Sequence, residues 1–270
     1  MTDADLRAYF ARIAYSGPPT PTLETLHALH RHHPIAITFE NLDPLMKRPV
    51  RLELDSLLAK LVEQRRGGYC YEHNTLFTAV LRHLGYSVVT LAARVQWGVP
   101  QGVMRPRAHM LLRIELPQGP YIADVGFGLL TLTAPLRLRL DLEQPTPHGL
   151  HRFVRVGDEF QLQVKLAERW APMYQVALQE QAPADWEVQN WFTSTHPDST
   201  FTKNLMAARP IGNARYALLN NRLSVYGPDG VARRIARSAP ELASFLTEFF
   251  DIRAPCVSDE LLEDVFKRGS

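Results

Sequence analysis

Through the first third of the chain, apolar residues return at helical spacing. Leu6, Phe10 and Ile13 follow an acidic start, which predicts a helix over 3–13. Ser16-Gly17-Pro18-Pro19 breaks it. Thr22 stands where an N-cap belongs, ahead of Leu23, Leu26 and Leu29 on one helical face. This second helix should end in His30, His32 and His33, just before Pro34. Histidines there would complement the negative end of the helix dipole, and they lack a clear metal-ligand spacing. Residues 54–63 read as a third helix. A fourth follows Gly67-Gly68, with Leu76, Phe77, Val80, Leu81 and Leu84 on one face and Gly85 placed to cap its end.

From Tyr86 the texture changes. Residues 87–97 are rich in Val, Thr and Leu, and the runs 109–116 and 121–125 flank Pro117-Gln118-Gly119-Pro120, which reads as a turn. Further strands are expected over 153–156, 160–164 and 173–178. The last part mixes a helical run from Asp185, strands over 216–219 and 223–226, a Gly227-Pro228-Asp229-Gly230 turn and a helix near 240–250. The fold class expected is α+β, with a helical unit over 1–85, a β-rich unit over 86–185 and a mixed unit over 186–270.

Composition narrows the function classes. Hydrophobic residues make up 46% and charged residues 21%, as in ordinary globular proteins. A net charge of +2 gives no nucleic-acid footprint. Basic runs such as Arg105-Pro106-Arg107 and Arg137-Leu138-Arg139 read as solvated faces, with a role in holding an anion left open. No secretory leader and no long apolar run is visible, so a cytoplasmic, membrane-free protein is expected. The two cysteines, Cys70 and Cys256, make no disulfide framework, and in a reducing compartment a free thiol is available for chemistry.

Cys70 has the more informative setting. It follows two glycines and opens an amphipathic helix, where free N–H groups and the helix dipole favour an anion. A thiolate nucleophile fits there, and the same N–H groups could hold an oxyanion. The glycines would let a substrate approach the backbone. The competing reading is a small buried hydrophobe. Cys256 follows Ala254-Pro255 and reads as structural.

A thiol nucleophile needs a base, and the base an orienting group. Spacing does not choose among ten histidines. His73 lies three residues after Cys70 and could share its face, even as half of a zinc site, but no second pair completes one. His109 heads an apolar strand and Asp124 lies inside another; an acid there needs a partner. If Gln118-Gly119 is a two-residue turn, His109 faces Gly128, and Asp124 lies about 13 Å along the same face. Contact would then require a different turn, a bulge or a bend.

At these residues the chain resembles the arylamine N-acetyltransferase family, in its bacterial form. Arg66-Gly67-Gly68-Tyr69-Cys70-Tyr71-Glu72-His73-Asn74 is similar to the family's active-site signature, Arg-Gly-Gly-x-Cys-x-Glu-x-Asn. Phe39-Glu40-Asn41-Leu42, Ala108-His109-Met110, Asp124-Val125-Gly126-Phe127-Gly128, and Thr195-His196-Pro197 with Phe201 resemble its other motifs. Thr38 departs from the proline common at that position, which touches a loop and substrate preference. The resemblance implies a Cys70–His109–Asp124 triad and a cysteine-protease-like core, with a helical domain, a β-barrel-like domain and an α/β lid. It implies an irregular hairpin between His109 and Asp124.

The resemblance also implies acetyl transfer from acetyl-CoA, as co-substrate, through acetyl-Cys70 to aromatic amines, arylhydrazines or N-arylhydroxylamines. No permanently bound cofactor or metal is expected. Phe39, Phe127 and Phe201 are candidates for an apolar acceptor pocket, and Gly126 and Gly128 for close approach of pantetheine or phosphate. Arg66 and Glu40 are expected to form a supporting ion pair, with Asn41, Gly67 and Gly68 as further support. A peptide-directed thiol enzyme and a silent small-molecule binder remain alternatives. The physiological acceptor and the oligomeric state are not legible.

Overall fold

The structure is a computed structural model that describes residues 1–100, 102–228, 230–253 and 256–269. Helix α1 (Asp3–Arg12) is capped by Thr2, and α2 (Leu23–Ala36) by Thr22, whose side chain accepts from Thr25 N. Contrary to expectation, α2 runs through Pro34, and Ile37 N still bonds His33 O at 2.8 Å. A two-residue strand β1 (Phe39–Glu40) and a single turn α3 (Leu42–Leu45) follow. Next come α4 (Leu54–Leu57), continued as a π-helical segment (Leu58–Glu63), and α5 (Cys70–His83), which ends at Gly85 with φ +93°.

The middle of the chain forms an eight-stranded sheet from β2 (Ser87–Val95), β3 (Arg107–Leu116), β4 (Gly119–Ala123), β5 (Leu136–Arg137), β6 (Gln144–Thr146), β7 (Gly149–Val156), β8 (Glu159–Leu166) and β9 (Arg169–Glu180). Its order is β5-β4-β3-β2-β9-β8-β7-β6. The two edges meet. Arg137 N donates to Gln144 Oε1 at 2.7 Å, Gln144 Nε2 donates to Arg137 O at 2.9 Å, and Leu140 bridges Phe153. The sheet therefore curls into a nearly closed barrel, which leaves no long unpaired edge.

After α6 (Pro183–Thr195) and the short α7 (Thr200–Lys203), strands β10 (Met206–Ile211), β11 (Ala214–Leu219), β12 (Arg222–Gly227) and β13 (Gly230–Ile235) form an antiparallel meander. The expected turn between β12 and β13 includes Asp229, which lies outside the described residues. Helices α8 (Ala239–Phe250) and α9 (Asp259–Gly269) follow. Strand β1, from the helical part, pairs with β10. Leu42 and Leu45 likewise pack in the core built around Phe245, Leu246 and Phe250. The largest core joins α1, α2 and α5 to one face of β2–β4 through Phe77, Leu81, Leu112, Ile114 and Ala123. That packing sets the start of α5 against β3 and the end of β4.

Candidate active site

Cys70 is the first residue of α5 and is 2% exposed. His109, near the start of β3, and Asp124, one residue beyond β4, are 3% and 0% exposed. His109 Nε2 lies 2.7 Å from Asp124 Oδ2, and the Cys70 thiol is near enough to the same imidazole to help raise its pKa. The three residues that the family resemblance grouped are thus adjacent in space.

The route to contact differs from the expected irregular hairpin. The β3–β4 ladder runs regularly from Leu116↔Gly119 to Leu112↔Ala123, so the turn is Pro117-Gln118, one position earlier than assumed. Continued past Ala123, that register sets Asp124 opposite Leu111, diagonal to His109 on the same face and within reach of a long side chain. The irregularity lies on the other side of β3. Ala93 pairs with His109 but Arg94 pairs with Arg107, a bulge at Ala108 beside the imidazole.

Asp124 is held on every side. Its Oδ1 accepts from Gly126 N at 3.1 Å and Asn74 Nδ2 at 3.2 Å. Its own N–H donates to His30 Nε2 at 3.0 Å. Burial works to raise the carboxyl's pKa, but His109 and these donors together bring it below the usual carboxylate value. Burial likewise works against charge on His109, and the Asp124 carboxylate, its hydrogen bond and Cys70 outweigh it, placing the pKa at about 10. Phe127 and Tyr174 pack on the imidazole with ring centroids 4.9 and 5.4 Å away. The Tyr174 hydroxyl faces Asp124 without reaching hydrogen-bond geometry.

Asn74, Tyr174 and His30 are absent from the expected site. Asn74 stands in the quoted signature. It fastens Asp124, Met110 O at 2.8 Å and Val125 N at 3.2 Å at once, which locks α5 to β3 and to the end of β4. His30 and His33 correct the helix-end reading. They share the apolar face of Leu26 and Leu29, point inward and are fully buried. Desolvation pushes His30 down to about 3, so it is a neutral acceptor and no partner for a helix dipole. His73 forms no zinc half-site. Its Nε2 donates to Gly68 O at 3.0 Å, and its Nδ1 accepts from His33 Nε2 at 2.9 Å. Among the described residues no cluster suits a metal ion.

The glycines serve the protein's own packing. A Cβ on Gly67 would stand 2.1 Å from Thr38 O, so the close approach there is of backbone to backbone, not of substrate. A Cβ on Gly126 would stand 2.9 Å from Cys70 Cα, and Gly128 has φ +77° with the Phe39 ring beside it. Phe39 and Phe201 are half-buried with ring centroids 6.3 Å apart, and Phe201 also packs on Tyr69 at 5.4 Å. Asn41 ties this region down, donating to Phe201 O at 2.8 Å and Asn204 O at 2.7 Å.

The Arg66–Glu40 pair exists at 3.4 Å, but Arg66 is closer to Asp43, at 2.8 Å. Lys60 joins Asp43 at 2.7 Å and Glu72 at 2.5 Å. Glu72 in turn accepts from Tyr69 N at 3.1 Å, so the ion network reaches the residue before Cys70.

A thiol at a helix start, beside an imidazole that is oriented by a buried carboxylate, defines a thiol-dependent acyl-transfer or hydrolytic enzyme. The family model described as N-acetyltransferase matches residues 22–257. The arylamine N-acetyltransferase of Escherichia coli is 42% identical over 88% of this chain and 84% of its own. That of Mycobacterium tuberculosis is 40% identical over 94% and 92%. The solved structure of the Mycobacterium marinum arylamine N-acetyltransferase in complex with CoA superposes with a TM-score of 0.93 at 40% identity, covering 97% of this chain and 98% of that one. The chain belongs to the arylamine N-acetyltransferase family.

Proposed function

We propose that this chain is an arylamine N-acetyltransferase that carries the acetyl group of acetyl-CoA on Cys70. The observation that carries this reading is the Cys70–His109–Asp124 row, with its 2.7 Å imidazole–carboxylate contact. His109 takes the Cys70 proton, and Asp124 favours the imidazolium that results. The sulfur attacks the thioester carbonyl, and the N–H groups at the start of α5 face the developing oxyanion. The C–S bond to CoA breaks, CoA leaves with the proton from His109, and acetyl-Cys70 remains. An acceptor amine attacks that thioester, its proton passes to His109, and Cys70 is released as the amide forms.

Aromatic amines and hydrazines suit this scheme because they are uncharged nucleophiles near pH 7, whereas alkyl amines are mostly protonated, like lysine. Phe127, on the His109 ring, and Phe39 and Phe201, packed on each other and on Cys70's neighbours His73 and Tyr69, are half-buried and supply apolar surface for such an acceptor. Arg66, Glu40 and Asn41 act as support rather than as reacting groups. We take the working division of the chain as 1–85, 86–185 and 186–270. A free thiol nucleophile suits a reducing cytoplasm, and no described helix is long and apolar enough to cross a membrane.

Intact mass of the pure protein after incubation with acetyl-CoA alone tests the scheme. One acetyl group mapped to Cys70, discharged by an aromatic amine or hydrazine, is the expected result. No adduct on a Cys70 that still alkylates readily would remove acetyl-CoA as donor.

A further inference from the structure

A cavity of about 370 Å³ is lined in part by Arg66 and Gly67, a few residues before Cys70 in the chain. Arg12 of α1, Arg65 and Arg66 of the loop before α5, and Arg253 beyond α8 line it, with Glu40 and Asp251 as its carboxylates. None of Cys70, His109 and Asp124 does. Four guanidinium groups thus line it with two carboxylates; Glu40 is engaged with Arg66 and Leu42 N, and Asp251 with Arg253 at 3.0 Å. Arg66 is also paired with Asp43 at 2.8 Å, outside the lining, which leaves Arg12 and Arg65 without a carboxylate at ion-pair distance among the described residues.

Arg12 is the informative member. It is only 6% exposed, and its bonds go to the carbonyls of Leu61 at 2.9 Å and Arg65 at 3.3 Å. Among the described residues no carboxylate lies within ion-pair distance of it. Buried cations are ordinarily paired, because removing a charge from water is costly without an opposite charge. Arg66 Nε, also at this cavity, is buried without a partner. The space takes about twelve water-sized volumes, enough for an anion with a small organic body.

We propose that this cavity binds a doubly charged phosphate group, as inorganic phosphate or as a small phosphomonoester. Guanidinium groups on three separate segments would converge on its oxygens, the geometry for which arginine is suited. Bound there, the anion braces α1 and the segment after α8 against the loop that leads into Cys70.

Isothermal titration of the full-length protein with inorganic phosphate, at constant ionic strength in chloride, tests this. Saturable binding is expected, stronger at pH 8 than at pH 6, because the phosphate is more fully doubly charged at the higher pH. The double variant R65Q/R253Q, changed only at the solvent-facing rim, should weaken binding at least tenfold and leave acetyl transfer unchanged. Phosphate should also slow alkylation of Cys256, which lines the same cavity. Tighter binding of glycerol 3-phosphate than of phosphate would assign an organic ligand, and equal binding the free ion. No saturable heat, or identical binding by the double variant, would overturn the proposal. So would a KM for acetyl-CoA that rises in proportion to phosphate, since that places the anion in the donor site.

Discussion

The backbone of Cys70 and Gly126 touch so closely that a methyl group on Gly126 would stand 2.9 Å from Cys70 Cα. It would also meet Asn74 Nδ2 and His73 Cβ at 3.1 Å, and none of these is the free end of a flexible side chain. Gly126→Ala must therefore push the start of α5 away from the end of β4. Overpacking of this kind costs about 1–3 kcal/mol. The reaction should suffer more than the fold, because the displaced atom carries the thiol. Thermal unfolding and the alkylation rate of Cys70 separate the two. A variant that loses stability yet keeps wild-type thiol reactivity would show that the contact serves packing alone.

The His109–Asp124 pair gives the stability a dependence on alkaline pH. His109 has a pKa of about 10 when folded, raised above its unfolded value. Its contribution is complete below about pH 6.5 and is lost as pH rises through the folded value. Urea midpoints measured from pH 6 to pH 10 should fall. In Asp124→Asn the fall should flatten, and acetyl transfer should drop by roughly 10²–10⁴-fold, the range for general acid–base assistance. An equal alkaline slope in the variant would assign the slope to other groups.

How much of this could be seen in the sequence depends on the range of the interaction. Helices α1, α5 and α8 and the Thr22 cap were legible because periodicity and capping are local. Cys70 was legible by its place between glycines and an apolar face. His109 and Asp124 drew attention as polar residues in apolar strands, but their contact hung on one turn position, and local composition does not distinguish Gln118-Gly119 from Pro117-Gln118. Asn74 was hidden in plain view. A polar residue on α5 that is needed only because three chain segments converge on it carries no local sign. His30 and His33 could have been placed inside, since they fall on the Leu26–Leu29 face, and the helix-end position drew the wrong reading. Strand β1 has two residues and is stabilised wholly by β10 and Gly68, far along the chain.

Arg66→Ala should act on the fold before the chemistry. The guanidinium is largely buried against Glu40 and Asp43. Removing one partner of such a group leaves uncompensated charge and costs about 3–5 kcal/mol. Lys60 remains to compensate Asp43, so Glu40 bears most of the loss. The expected result is a markedly lower unfolding midpoint, with near-normal turnover per folded molecule. Full stability combined with a slow acetylation step would make Arg66 part of the reaction machinery instead.

Acid should destabilise the protein through its buried neutral histidines, and His151 offers the cleanest test. Burial first, and the nearby Arg215 second, lower its pKa to about 3. His73 is lowered to about 4, chiefly by burial. A depressed value contributes stability above the unfolded pKa of about 6.5, which is lost as pH falls toward the folded value. Neither ring nitrogen of His151 reaches hydrogen-bond geometry with a protein partner, and the side chain is fully buried beside Phe153 and Val164 on β7 and β8. His151→Phe therefore removes a protonation site without breaking a hydrogen bond. Its urea midpoint at pH 8 should match or exceed wild type, and its loss between pH 6.5 and pH 4.5 should be shallower. A large loss at pH 8 would mean that His151 holds a partner, such as an ordered water shared with Arg215, whose Nε is also unpaired.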